Sequence, residues 1–151
     1  MEFVKNDGGR AAAGYKGDAG DCVTRAIAIA TGKPYKEVYD RIHAMTAEYA
    51  EKRRTKVARA IKRKGTSSPR DGVFRDVYDQ YLKDLGWEFI PTMSFGSGCT
   101  THLKADELPA GIIITRLSRH LCAVIDGIIH DTHNPSRGGT RCVYGYYAKN
   151  I

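Results

Sequence analysis

Cys22 and His120 are the residues of this chain whose type and setting suit nucleophilic chemistry. A cysteine attacks as the thiolate, so its surroundings must favour a negative sulfur. Cys22 stands in Gly20-Asp21-Cys22-Val23-Thr24-Arg25-Ala26, at the first turn of a stretch with helical apolar spacing. Unpaired backbone N–H groups and the helix dipole stabilise an anion at that position. Asp21 works against this if its carboxylate comes close, and it can instead cap the helix.

The second segment runs from Ser118 to His133 and contains Asp126-Gly127 between two apolar runs, a strong signal for a two-residue hairpin. Such a turn sets Ile125 opposite Ile128, and hence Cys122 opposite Asp131 and His120 opposite His133. Opposed residues share a face and alternate residues keep it, so His120, Cys122, Val124, Ile129, Asp131 and His133 fall together. His120 and Asp131 become diagonal neighbours within side-chain reach, while His130 points the other way. A thiol at a helix start, a histidine opening a strand and a carboxylate on the next strand are the parts of a Cys-His-Asp site. In it His120 takes the proton of Cys22 and later protonates the leaving group, and Asp131 orients the ring and stabilises imidazolium.

The same residues offer a rival chemistry. His120, Asp131, His133 and a thiol would make four metal ligands, but no local motif such as H-x-x-x-H anchors them. The expectation is therefore no metal and no cofactor. Cys22, Cys99, Cys122 and Cys142 contain no C-x-x-C pair and are expected as reduced thiols. Cys122 reads as core packing and Cys142 as structural. Cys99, in a Gly-rich loop, is left open.

The elements that must position these residues follow from periodicity. Val23, Ala26, Ile27 and Ala30 predict a helix over residues 23–31, stopped by Gly32. Pro34 opens a second, with Val38, Ile42, Met45 and Tyr49 as its stripe, which the basic segment carrying Val57 and Ile61 would extend. A third runs from about Asp71 through Val73, Val77, Tyr81 and Leu85 to Gly86. Strands are predicted at 87–91, 112–117, 121–125, 128–132 and 142–147. The first twenty residues, rich in Gly and Ala, read as an irregular lead-in. Helices first and a mainly antiparallel sheet afterwards make an α+β domain, and 151 residues are one domain's worth.

In this layout the chain resembles the papain-like cysteine peptidase superfamily, in particular compact bacterial and phage members such as the bacteriocin-processing peptidase domains of ABC transporters. The resemblance rests on Asp21-Cys22 with its helix, on His120-Leu121-Cys122-Ala123-Val124-Ile125, and on Asp131 with nearby Pro135. It implies a papain-like fold over residues 1–151 and cysteine-dependent hydrolase or acyl-transferase chemistry on peptide or isopeptide bonds, with a peptide or protein as substrate. It also implies an oxyanion donor, usually a glutamine about six residues before the cysteine. Lys16 holds that position, and Gln80 is the only glutamine. The backbone N–H of Cys22 remains available, with Asn6 and Lys16 as side-chain candidates.

Charge supplies the alternative function. The net charge is +7, yet Lys52, Arg53, Arg54, Lys56, Arg59, Lys62, Arg63 and Lys64 lie in an acid-free run, and without them 16 basic residues face 17 acidic ones. This segment suits backbone-directed contact with nucleic acid or with an acidic protein. The competing description is thus a non-catalytic binding module on the same fold, such as a phage accessory or anti-defence protein. No apolar run approaches the roughly 18–20 residues of a membrane span, and Met1-Glu2-Phe3-Val4-Lys5 does not open like a signal peptide. The expected compartment is the cytoplasm, without membrane partners.

Overall fold

A computed structural model describes residues 1–16 and 20–149, and of Asp71 the backbone alone; residues 17–19 of the lead-in lie outside it. The fold is α+β. Four helices, α1 (Cys22–Thr31), α2 (Tyr35–Lys52), α3 (Lys56–Lys64) and α4 (Arg75–Asp84), accompany strands β1 (Phe3–Lys5), β2 (Trp87–Pro91), β3 (Ile112–Leu117), β4 (His120–Ile125), β5 (Ile128–Asp131) and β6 (Gly145–Lys149). The strands form one mixed sheet in the order β1-β5-β4-β3-β6-β2. The β1–β5 pair is parallel and the other pairs are antiparallel.

Alternation along the central strands separates two apolar layers. Ile114, Leu121 and Tyr147 face the helices, where they bury Ile27 of α1, Val38 and Ile42 of α2, and Leu82 of α4. Ile113, Leu117, Cys122, Val124 and Ile129 face the opposite side, covered by Leu103 and Val143 from irregular segments. Each fully buried aliphatic side chain contributes on the order of 2 kcal/mol relative to exposure, so the central strands are held from both faces. The helix α1 ends where expected: Gly32 takes a left-handed φ of 72° and its N–H caps the Ala28 carbonyl.

Several expectations are corrected. The lead-in contains β1, whose Phe3, Val4 and Lys5 pair with Ile129, His130 and Asp131. The basic segment does not continue α2: the chain turns extended at Arg53, and Thr55 starts α3 by accepting a hydrogen bond from the Ala58 N–H at 3.1 Å. The third helix begins at Arg75 rather than near Asp71, because Gly72 at φ 110° interrupts a short 3₁₀ turn over Pro69–Asp71. The last strand starts at Gly145, three residues later than its apolar run. The cysteines are not all thiols: Cys99 and Cys142 form a disulfide with Cα atoms 5.9 Å apart. They are brought together by the antiparallel bridge between His102 and Cys142. Cys22 and Cys122 are free.

Candidate active site

The hairpin forms in the register read from its turn. Asp126 and Gly127 both have positive φ, 48° and 79°, as a type I′ turn requires. Ile125 pairs with Ile128, Val124 with Ile129 and Ala123 with His130. His120 and Asp131 therefore meet diagonally, and His120 Nε2 lies 2.6 Å from Asp131 Oδ2.

Cys22 approaches from the other layer. By alternation Leu121 faces α1, whereas His120 and Cys122 belong to the opposite face. The first turn of α1 meets the start of β4 at the rim of the sheet, and there Cys22 and His120 line one cleft, each shifting the other's ionisation. Asp131 takes Nε2, which leaves Nδ1 of His120 without a hydrogen-bond partner among the described residues.

Electrostatics at the contact favour the ion pair. Burial is the strongest influence on the Cys22 thiol and pushes its pKa up. The closeness of His120 and of the Leu121 backbone, with the positive charges of His120 and Arg25, outweighs it and leaves the pKa below the ordinary thiol value. For His120, burial lowers the pKa, but Asp131 and Cys22 together raise it from 6.5 to about 9. Burial raises Asp131, and its bonds to His120 and Thr132 bring it below the usual carboxylate value. Cys122 is the contrast: deep burial and the nearby Asp131 push its thiol well up, which leaves it inert packing material.

Asp21 is engaged by cationic and hydroxyl partners. Its carboxylate makes no capping bond to α1. It is buried instead against Arg25, against Arg10 at 3.1 Å, and under the Tyr35 hydroxyl. Arg25 extends from Asp21 to Asp131, with Nη2 3.4 Å from Oδ1, while the Thr132 N–H donates to the same oxygen at 2.7 Å. Arg25 thus links the helix bearing the thiol to the strand bearing the carboxylate. Its i,i+4 spacing from Asp21 was a visible signal for the first contact; its bond to Asp131, 106 residues away, had none.

Cys22 and His120 line an open cleft of about 1090 Å³. Neither Asn6 nor Lys16 lines it. The Asn6 amide lies 3.3 Å from His130 Nδ1 and its Oδ1 accepts from the Gly8 N–H, and Lys16 is exposed, with its carbonyl accepting from Arg10. The cleft adds residues that sequence reading passed over, notably Tyr78, Arg116 and Arg119. His133 stands beside the site, its ring centroid 5.3 Å from that of His120. His120, Asp131 and His133 present ligand atoms within 4.8 Å of one another, so they could hold a divalent ion, at the expense of the His120–Asp131 bond. The eight basic residues between 52 and 64 are all exposed and lie outside the cleft.

Comparison with protein-family models, with curated proteins and with solved structures found no match to this chain.

Proposed function

We propose that the protein is a papain-like cysteine hydrolase or acyl transferase acting on peptide or isopeptide bonds. One observation carries the reading: His120 is bonded through Nε2 to buried Asp131 while its ring meets the thiol at the start of α1. The Cys22 thiolate adds to the acyl carbon, forming a C–S bond, and the negative oxygen faces the backbone N–H of Cys22. As the intermediate collapses, the C–N bond breaks and imidazolium His120 gives its Nδ1 proton to the leaving amine. Neutral His120 then removes a proton from water, or from an acceptor amine, as it attacks the thioester and frees Cys22. Asp131 keeps the ring oriented throughout.

The test is acyl transfer to an activated ester such as p-nitrophenyl acetate. Wild type should show a burst and an acetyl group on Cys22 by peptide mapping. His120→Ala should lower turnover by roughly 100-fold or more, and Cys22→Ser should abolish the adduct. Equal turnover by wild type and His120→Ala would end the catalytic reading.

A second reading has its own observation. The basic side chains of residues 52–64 are exposed, and Lys52 with Glu48 is the one ion pair they form among the described residues. A binding module of this kind would hold nucleic acid without sequence preference and release it steeply with salt. Reversal of Arg53, Lys56, Arg59 and Arg63 to Glu should then abolish binding, whereas Cys22→Ala should not. Absence of wild-type binding to DNA and RNA at low salt would remove it.

No helix among the described residues is long and apolar enough to cross a membrane. A cytoplasmic location completes the proposal. Cytosolic glutathione keeps thiols reduced, so in that compartment Cys99 and Cys142 stay bonded only where the fold shields the bridge. Alkylation gel-shift of those two cysteines in intact cells decides the point.

A further inference from the structure

The cleft around Cys22 holds cations that the fold does not neutralise. Arg10 and Arg25 are committed to Asp21 and Asp131, and Arg75 pairs with Asp79. Lys5, Arg116 and Arg119 also line the cleft and form no ion pair among the described residues.

Arg116 is the informative one. It pairs across the strands with Leu121, so both side chains project to the helix-covered face from which Cys22 approaches. The residue is half-buried, and its guanidinium lies over two rings, 5.4 Å from the centroid of Phe89 and 5.9 Å from that of Tyr144. Stacking holds the planar group and leaves its edge N–H donors unused. These N–H groups are not among the buried unpartnered atoms and so stay open to a ligand, and a carboxylate is the group the guanidinium fork matches best. Cys22, Arg116, Tyr144 and the buried Tyr78 all line this one cleft, so the residue bearing the guanidinium and the one bearing the sulfur border the same space. Arg119, at φ 56° on the exposed β3–β4 turn, adds a second positive charge at the mouth.

We infer that Arg116, flanked by Arg119, is an anion subsite, and that the acyl substrate carries a carboxylate beside the bond that Cys22 attacks. This rests on the cysteine chemistry proposed above and adds its substrate class: a peptide with an acidic side chain, or with its terminal carboxylate, next to the scissile bond. Arg116 is here a specificity-determining residue.

Iodoacetate and iodoacetamide attack the same sulfur and differ in charge, so the ratio of their rates at Cys22 reads the subsite. Arg116→Gln should lower the iodoacetate-to-iodoacetamide ratio about tenfold, the effect of one lost charge contact, with the iodoacetamide rate little changed. Arg116→Lys should keep most of the ratio. Should Arg116→Gln fail to fold, the wild-type ratio itself should fall steeply between low and high salt. A ratio that neither substitution nor salt alters overturns the subsite. The iodoacetamide rate alone reports Cys22 activation, so a slow reaction that His120→Ala does not slow further would instead indict the catalytic reading. Protection of Cys22 from iodoacetamide by N-acetylglutamate α-amide, against protection by N-acetylglutamine, separates the side-chain carboxylate from the terminal one. Protection by neither overturns the proposed substrate class.

Discussion

Asp131→Asn removes one charge from the site and almost nothing of its shape. The carboxylate has three partners: His120 Nε2 at 2.6 Å, the Thr132 N–H at 2.7 Å, and Arg25 at 3.4 Å. An asparagine oxygen can still accept from His120, so ring orientation survives while charge stabilisation of imidazolium is lost. His120 stands at about 9 instead of 6.5, and Asp131 and Cys22 share the work of raising it. Burial, which disfavours the charged ring, stays in place, so losing the carboxylate should lower that pKa by on the order of one pH unit or more, ~1.4 kcal/mol per unit. Because the thiolate is held by imidazolium, the pH midpoint of Cys22 alkylation should climb by about the same amount. Below that midpoint the rate at fixed pH should fall about tenfold. The assay is the rate of iodoacetamide labelling of Cys22 from mildly acidic to alkaline pH, with Cys122 as the internal slow thiol. An Asp131→Asn profile that overlays wild type would refute the claim that the carboxylate poises the pair.

Three further outcomes follow from the same structure. Gly145→Ala should destabilise the protein by about 1–3 kcal/mol, because a Cβ there would overlap the Phe89 ring and sit 2.9 Å from the Ile90 carbonyl oxygen; a wild-type denaturation midpoint would count against the β2–β6 packing described. Replacing Cys99 and Cys142 together by serine should cost up to about 4 kcal/mol in urea unfolding, the chain-entropy value for a closed loop of this size, given their separation of 43 residues; no change would mean the bridge does not form. The raised pKa of His120 makes its stabilisation fully present below about 6.5 and lost as pH rises, while the lowered Cys22 thiol works with the opposite sign, so Cys22→Ala should weaken from about pH 6.5 upward and Cys22→Ala combined with His120→Gln should not.

How much was legible depended on whether the cause was local. The strand over Trp87–Pro91 and the hairpin register came directly from short-range signals, and the Asp126-Gly127 turn alone was enough to bring His120 to Asp131. β1 was hidden because it is three exposed residues long and gains its identity from a parallel partner more than a hundred residues away. The break between α2 and α3 was masked by continuous helix-forming basic residues, with Thr55 as the one cue. The disulfide was illegible for a similar reason: neither partner's neighbours signal a bond across 43 residues. At the site, Cys22, His120 and Asp131 were readable as types in order. The Asp21–Arg25–Asp131 linkage and the Arg116 cleft wall depend on how α1 docks onto the sheet, which pattern alone does not specify.

The central claim, that Cys22 and His120 rest as a thiolate–imidazolium pair, is tested most directly by ¹⁵N NMR of the His120 ring across pH. The ring should be doubly protonated at neutral pH and titrate near 9, and Cys22→Ala should lower that pKa measurably, since the sulfur supplies part of the stabilisation. A neutral His120 ring at pH 7 (or a titration indifferent to Cys22→Ala) would contradict the account.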